Sequence, residues 1–291
     1  MCGIAGIMSK TEIDAGTLTL DMMRLVQHRG RDASGIALFS GDAFVTLRAS
    51  LKSNALLPKL RTVVGAYASM LSEKPSDGFF ECTLKPLNVN ALHNAINDID
   101  GVSVHSLGDS IKVYKENGEI TNLTKRHNIP KTKCRLAIGH VRMATESNSD
   151  VNAAHPLTSP FYPSLAIVHN GQFTNYYNTR RFLESKGAKF KTQNDTEAAS
   201  HLIAYIMSQN GGDLSDALRY AANALDGVFC IIAATPRQIG FAKDNLGIKP
   251  MLIADTPDCL ILGSEQIEFS AVSGDLYADE TAPGEVRVWN I

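Results

Sequence analysis

The feature that most constrains this chain is Cys2, which lies directly after the initiator methionine and directly before a short apolar segment, residues 3–8, predicted as a strand. A small residue at position 2 favours removal of Met1, and the mature chain would then carry a thiol and an α-amine on one residue. Such an amine titrates near pH ~7.7–8.0, close enough to neutrality to accept the thiol proton. Cys2 is therefore a candidate nucleophile that carries its own general base.

Taken alone, this start is better explained by a structural cysteine that opens an edge strand, because cysteine is small, apolar and often buried. A short motif without its structural context is weak evidence for function. The interpretation of Cys2 therefore depends on the motifs that follow it along the chain.

Composition narrows the class of protein. The chain has 291 residues, 44% of them apolar, which is enough for a buried core. Its 28 basic and 30 acidic residues give a net charge of −2, which argues against binding to nucleic acid or an anionic membrane. No apolar stretch approaches the ~18 residues of a membrane span and no leader precedes Cys2, so we expect a cytoplasmic protein. Five widely spaced cysteines without a CxxC pair predict neither disulfides nor a metal site.

Residues from about 41 to 133 contain no cluster of reactive side chains. Apolar residues at helical spacing predict a helix over 54–71, and strands are predicted at 78–84 and in a hairpin around Glu116-Asn117-Gly118. We interpret this stretch as an inserted α+β subdomain.

Polar motifs follow two predicted buried strands in the second half of the chain. The strand over residues 135–141 runs into a polar loop, and the strand over residues 164–168 ends at Asn170-Gly171. An Asn-Gly pair after an apolar strand is a strong signal for a type I′ turn. Alternatively, the Asn amide and the Gly backbone N–H would be the two donors that an oxyanion hole needs.

Asp195 precedes a predicted helix and suits the N-cap position, although a capping role does not exclude a ligand role. Beyond another helix, predicted over residues 214–225, the tail is rich in short strands. Helices grouped between two sets of strands suggest two packed sheets covered by helices.

Six motifs occur in the order in which class II glutamine amidotransferases carry them, and on these the chain resembles that family. They are Cys2-Gly3-Ile4, His28-Arg29-Gly30 with Asp32 and Gly35, Gly139-His140-x-Arg142-x-x-Thr145, His169-Asn170-Gly171, Asp195-x-Glu197 and Gly247-x-Lys249-Pro250. The resemblance covers residues 2–40 and about 135–291. It implies an α+β fold, the four-layer αββα sandwich of N-terminal-nucleophile hydrolases, over residues 2–291 with an insertion at about 41–133.

The resemblance also implies a role for each matching residue. Cys2 would attack the side-chain amide of L-glutamine, release ammonia and form a γ-glutamyl thioester that water hydrolyses to glutamate. Asn170 and Gly171 would hold the oxyanion. Arg142 would bind the α-carboxylate of the substrate and Asp195 its α-ammonium.

The remaining matching residues would have supporting roles. Thr145 would support the substrate carboxylate, while His28 and Arg29 would shape the loop around the N-terminus. The Gly247–Pro250 motif, which includes Lys249, would serve the structure or contact an acceptor domain.

Fused relatives carry a second catalytic domain, whereas this chain ends after the predicted glutaminase. Residues 139–147, residues 111–115 of the insertion and residues 286–289 look most like the separate amidotransferase subunits of glutamate-synthase-like complexes, including those that make N-methylglutamate. This resemblance implies a separate synthase subunit as partner and the insertion as a candidate docking surface. We expect no cofactor in this chain, since FMN and an iron–sulfur cluster would belong to the partner.

Two other interpretations stay open. The chain would be a non-catalytic glutamine-binding or regulatory subunit if Met1 were retained and blocked the amine. It would instead be a self-contained amidohydrolase if it acted on γ-glutamyl compounds without a partner.

Overall fold

The computed structural model describes residues 1–41, 44–127, 129, 133–143 and 150–291. Its strands are β1 (Gly3–Ile13), β2 (Ala33–Phe39), β3 (Val45–Leu51), β4 (Ala68–Ser76), β5 (Phe79–Pro86), β6 (Val102–Gly108), β7 (Lys112–Asn117), β8 (Cys134–Arg142), β9 (Leu157–Thr158), β10 (Ala166–Phe173), β11 (Gly227–Thr235), β12 (Gln238–Lys243), β13 (Leu252–Asp255), β14 (Cys259–Gly263), β15 (Asp279–Glu280) and β16 (Val286–Asn290). Its helices are α1 (Ala15–Leu25), α2 (Leu57–Tyr67), α3 (Val89–Asn97), α4 (Ile120–His127), α5 (Tyr176–Ser185), α6 (Asp195–Gln209), α7 (Leu214–Ala224) and α8 (Gln266–Phe269), with 3₁₀ turns at Gln27–Arg29, Asn54–Leu56 and Val151–Ala153.

Two antiparallel sheets form the centre of the molecule. One has seven strands in the order β15-β13-β14-β1-β8-β2-β7, and the other has five in the order β16-β12-β11-β10-β9. Their facing sides share one apolar core, to which Ile4 and Ile138 of the first sheet and Val168 and Ile232 of the second belong. The outer face of the five-stranded sheet packs against α6 and α7, and that of the seven-stranded sheet against α1 and α8. The predicted four-layer αββα sandwich is therefore confirmed.

The sequence of β1 shows why it lies at the centre of this arrangement. Its first residues are apolar or glycine and are buried on both faces. Because side chains alternate across a strand, Ile4 points to the core between the sheets while Ala5 and Ile7 point to the helix layer. β1 is paired on both sides, with β14 and β8, so the residue before it is held at the end of an interior strand.

A third sheet has its own core. Its four strands, in the order β4-β5-β3-β6, pack with α2 and α3 around buried residues that include Leu60 and Phe80. This unit spans 45–108, whereas β7 pairs with β2 and so belongs to the seven-stranded sheet. The unit lies within the predicted insertion at 41–133, whose boundaries as a separate domain remain a prediction.

Two local predictions for this region are corrected by the structure. The helix expected over 54–71 is α2, and residues 68–71 begin β4 instead. The hairpin expected around Glu116-Asn117-Gly118 is absent from the described residues, since β7 ends at Asn117 and the chain passes through Gly118 (φ 89°) into α4. The partner of β7 is β2, about 80 residues earlier, which a local turn signal cannot reveal.

None of the described helices is long and apolar enough to cross a membrane.

The separate core of the four-stranded sheet leads to a stability prediction. Phe80→Ala removes a side chain that is 1% exposed in that core and should cost about 3–5 kcal/mol. We expect faster amide hydrogen exchange in β3, β5 and β6, with little change in β10 and β11. The matched variant Phe229→Ala, in the core beneath α6 and α7, should reverse the pattern. Equal acceleration in both sheets after Phe80→Ala would contradict a separately stabilised unit.

Candidate active site

Cys2 lies at the N-terminal end of β1, at the edge of the core between the two main sheets. The next residues pair with β8, Gly3 opposite Val141 and Ile4 opposite His140. The Ile4 N–H donates to Ser264 Oγ at 2.9 Å, which fixes the start of the strand from its other side. The Cys2 Sγ lies 3.8 Å from the backbone oxygen of Met143, just beyond the end of β8.

Arg29 holds the backbone of Cys2 directly. Its Nε donates to the Cys2 carbonyl oxygen at 2.9 Å, and its Nη1 lies 2.6 Å from Glu265 Oε1. The carboxylate of Glu265 also meets His28 Nε2 at 3.1 Å. Partial burial raises the pKa of Glu265, but hydrogen bonds from Arg29 and His28 outweigh it and bring the pKa below its usual value. Arg29 thus contacts Cys2 directly, whereas His28 contacts Glu265, the residue that pairs with Arg29.

Gly30 allows the loop between α1 and β2 to lie against the end of β8. A Cβ at Gly30 would sit 2.4 Å from the backbone carbon of Arg142, closer than any side chain permits. The Asp32 N–H donates to the Arg142 carbonyl oxygen at 2.9 Å. Arg142 is thereby fixed beside the residue that holds Cys2, and only 6% of it is exposed.

Asn170 and Gly171 lie inside β10, so the type I′ turn suggested by their sequence is wrong. The strand continues to Phe173 and pairs with β11 throughout. Gly171 has φ 138°, and a Cβ there would lie 1.9 Å from the Val228 carbonyl oxygen. The need for glycine therefore arises from a close approach between strands rather than from a turn.

The side-chain amide of Asn170 is a buried donor. Asn170 is 2% exposed, and its Nδ2 has no hydrogen-bond partner among the residues that the structure describes. An unsatisfied buried polar group costs about 1–3 kcal/mol, and such groups are rare in native proteins. This donor is therefore available to a bound molecule.

Asp195 begins α6 but does not cap it, which corrects the N-cap prediction. The cap is Asn194, whose side chain accepts from the Thr196 N–H at 2.9 Å. Asp195 Oδ2 instead accepts from the Phe173 N–H at 3.0 Å and so joins the start of α6 to the end of β10. Its side chain is 25% exposed, which leaves the carboxylate accessible to a ligand.

Three buried histidines lie behind these residues, and the sequence analysis gave them no role. The ring centroids of His140 and His155 are 4.1 Å apart, and those of His155 and His169 are 6.2 Å apart. His140 Nε2 contacts the His169 carbonyl oxygen at 3.1 Å, and His169 Nδ1 contacts Thr196 Oγ1 at 2.9 Å. Burial lowers the pKa of all three, to about 3 for His140, so the rings are neutral. His140 and His169 belong to two of the shared motifs, and this could have indicated that they lie near the site. No sequence feature indicated His155.

The charges around Cys2 oppose the effect of its burial. Burial raises the pKa of the Cys2 thiol, while a hydrogen bond with the Met143 backbone and the positive charges of Arg142 and Lys249 lower it in part. Lys249 also lowers the pKa of His169, so its ammonium acts on both Cys2 and the β10 segment. The sequence analysis gave Lys249 a structural or docking role and missed this electrostatic one.

Thr145, the other predicted substrate ligand, lies outside the described residues. Among the described residues, no group of three or more His, Cys, Asp or Glu side chains could hold a metal ion. The described site thus offers a thiol, a buried amide donor, a guanidinium and a carboxylate.

Comparisons with known proteins agree with this geometry. A glutamine amidotransferase domain family matches residues 140–271. A Methanothermobacter thermautotrophicus protein named as a predicted glutamine amidotransferase is 32% identical over 309 aligned residues, covering 100% of both chains. The chain belongs to the class II glutamine amidotransferases. The glutamine amidotransferase-like protein GlxB of Rhizobium meliloti is also 32% identical, over 91% of this chain and 89% of its own.

Solved structures show the same fold. The glutamine phosphoribosylpyrophosphate amidotransferase of Bacillus subtilis superposes with a TM-score of 0.66 at 24% identity. A second structure, described as the allosteric regulatory enzyme of purine biosynthesis, gives a TM-score of 0.67 at 24% identity. Each alignment covers 99% of this amidotransferase but 47% of the solved chain, so the present chain spans about half of those enzymes.

The contact between Arg29 and the Cys2 carbonyl leads to a test of positioning. Lysine at position 29 would have a single ammonium in place of the guanidinium group. It should not contact the Cys2 carbonyl and the Glu265 carboxylate at the same time in the present geometry. We expect Arg29→Lys to lower kcat for glutamine hydrolysis by about 10–100-fold, since small misplacements of a reacting group have costs of that order. The matched variant Arg24→Lys, on the exposed face of α1, should keep its activity. Unchanged kcat in Arg29→Lys, measured by glutamate release, would contradict the role of this contact.

Proposed function

We propose that this amidotransferase hydrolyses L-glutamine with Cys2 as the nucleophile and supplies ammonia to a separate synthase subunit. The observation that carries the proposal is the buried amide of Asn170, a donor left without a partner in the described part of the chain. It lies on β10 next to Gly171, and Lys249 acts electrostatically on both this segment and Cys2. A thiol and a preorganised donor pair are the groups that acyl transfer needs.

The proposed reaction begins when the α-amine of Cys2, freed by loss of Met1, takes the thiol proton. The Cys2 Sγ attacks the side-chain amide carbon of glutamine, and the Asn170 amide and Gly171 N–H hold the oxyanion. The amine then gives its proton to the leaving nitrogen, so that ammonia departs and a γ-glutamyl thioester remains. Water, deprotonated by the same amine, hydrolyses the thioester to glutamate and restores the thiol.

Selectivity for free glutamine is assigned to the two ends of its amino-acid group. Arg142 would bind the α-carboxylate through its guanidinium fork, and Asp195 would bind the α-ammonium. The backbone of Arg142 at the end of β8 and the side chain of Asp195 at the start of α6 are each held by a hydrogen bond, which supports this assignment. Thr145 is proposed to assist the carboxylate on the basis of the sequence motif alone.

The partner is proposed to resemble the flavin-containing synthase domain of glutamate synthase, with any FMN and iron–sulfur cluster in that subunit. The four-stranded sheet and its helices are the candidate docking surface. We expect the chain to co-purify with a second subunit from its native host, in a complex that carries flavin. Purification as a strict monomer would contradict this part of the proposal.

Asn170 gives the sharpest test of the chemistry. Asn170→Ala removes one oxyanion donor, and we expect kcat to fall by about 10²–10³-fold with little change in KM. Asn223→Ala is a suitable control because Asn223 is exposed on α7 and bonds only to the neighbouring Arg219 carbonyl among the described residues. A kcat for Asn170→Ala within a factor of three of the unmodified enzyme would contradict the oxyanion role.

Substrate comparison separates glutamine hydrolysis from a self-contained activity on γ-glutamyl compounds. The proposed Arg142 and Asp195 contacts require a free α-carboxylate and α-ammonium. γ-Glutamyl dipeptides keep both groups and differ from glutamine only at the scissile amide, so they test the fit around that amide. We expect kcat/KM for free glutamine to exceed that for γ-glutamyl dipeptides at least tenfold. Equal turnover of both substrates would show that the site does not require the primary amide of glutamine and would favour the amidohydrolase interpretation.

A further inference from the structure

A second polar cavity lies between the unit formed by the four-stranded sheet and the αββα core. It is a small space that is partly open to solvent. Residues from both sides line it: His93 and His105 from the inserted unit, and Lys191, Glu197 and His201 from the loop before α6 and from α6 itself. Neither Cys2 nor Asn170 belongs to its lining, so the cavity is distinct from the candidate active site.

Lys115 on β7 is the distinctive group in this cavity. The residue is 2% exposed, and no hydrogen bond or ion pair joins its ammonium to another described residue, although the nitrogen is not fully sealed from the partly open cavity that it lines. Lys243, the other deeply buried lysine, shows the usual arrangement, since its ammonium donates to the Thr281 carbonyl at 2.9 Å and lies 3.3 Å from Glu280. A buried ammonium without such partners is costly, and buried charges are normally paired.

The one carboxylate in the cavity lining is already engaged. Glu197 Oε1 accepts from the Lys191 N–H at 2.7 Å, while Oε2 accepts from the Thr192 N–H at 2.8 Å and from its hydroxyl at 2.6 Å. Burial lowers the pKa of Lys115 to about 7, although the charges of Glu197 and of Asp150, which lies outside the lining, both raise it. Glu197 therefore only partly compensates the charge of Lys115.

The other charged residues in the cavity lining are basic, although Asp98, Asp100 and Asp150 lie near enough to act on its lysines. Lys189 pairs with Asp98 at 2.5 Å and Lys191 donates to the Ile99 carbonyl at 3.3 Å, so both tie the loop before α6 to the inserted unit. Burial lowers the pKa of the three lining histidines, to about 4 for His93 and about 3 for His201. Of these neutral rings, His201 has a buried Nε2 without a partner among the described residues, whereas His105 Nε2 already lies 3.2 Å from Ser50 Oγ and 3.4 Å from Asn152 Oδ1.

We propose that this cavity binds a small oxyanion, a phosphate or a carboxylate, through the Lys115 ammonium. The class follows from the lining. A cation would be repelled by the three lysines of the lining, and an apolar ligand would leave the Lys115 ammonium unpaired. An oxyanion would pair with that ammonium and could accept a hydrogen bond from a lining histidine. The site goes beyond glutamine hydrolysis and does not depend on it.

The cavity borders the chain segment that carries Asp195, a residue of the candidate active site. The segment that forms one wall, residues 191–197, includes Asp195 and is anchored by Glu197. Asn194 Nδ2 also donates to the Ala153 carbonyl at 2.8 Å, which ties the same segment to the strand region before β9. An oxyanion at Lys115 would therefore stabilise the junction from which Asp195 projects.

Thermal unfolding with added oxyanions tests the proposal without reference to catalysis. Sodium phosphate and sodium acetate are compared with sodium chloride at matched ionic strength and pH. At about ten times the dissociation constant, the effective oxyanion should raise the unfolding temperature by about 2–3 °C. Lys115→Met should lose this rise, whereas Lys59→Met, on the exposed face of α2, should keep it. The arm that responds identifies the ligand as a phosphate or a carboxylate.

An equal rise in the unmodified protein and in Lys115→Met, or no rise with either oxyanion, would overturn the proposal. A second measurement uses the unmodified protein, so that the proposal can still be tested if Lys115→Met does not fold. Crystals soaked in sodium selenate should show an anomalous selenium peak within hydrogen-bond distance of Lys115 Nζ. If phosphate is the anion that responds, absence of a peak there in crystals that take up selenate elsewhere would also overturn the proposal, because selenate would then be an adventitious ion only.

Discussion

The hydrogen bond from Arg29 to the Cys2 carbonyl is the contact on which the rest of the site depends. Chain termini are usually the least ordered part of a domain, whereas an N-terminal nucleophile must be held to within a fraction of an ångström. Here the chain enters an interior strand at Gly3, directly after Cys2. The Ile4 N–H donates to Ser264 Oγ, and Arg29 Nε donates to the Cys2 carbonyl oxygen. The terminus is thus ordered by groups from distant parts of the chain.

Burial of polar groups gives the site its second property. His140, His155 and His169 are neutral and packed together, and they support β10 at the position of Asn170. Such a setting shields the Asn170 amide from solvent. In the proposed reaction, a donor that is already buried and unpartnered would need little reorganisation when the oxyanion forms. The seven-stranded sheet shows a related pattern at Lys115 on β7, where a largely buried lysine lines the cavity beside the four-stranded sheet.

The sequence predicted the layers of the fold and the motif residues because these depend on local pattern and on the resemblance. It did not predict contacts between distant segments. Asn170-Gly171 looked like a turn because the close approach of the Val228 carbonyl, which demands glycine, comes from β11. Asn117-Gly118 looked like a hairpin because the pairing of β7 with β2 has no local signal. Glu265, which holds Arg29, and His155 carried no signal at all.

The central claim is that Cys2 becomes a free N-terminal nucleophile for glutamine. The most direct test is the intact mass of the purified protein after treatment with the glutamine-analogue electrophile diazo-oxonorleucine, with Cys2→Ala as control. The account predicts loss of Met1 and one adduct, absent from the Cys2→Ala protein. Retained Met1 with no adduct would contradict the account and favour a glutamine-binding subunit without catalysis.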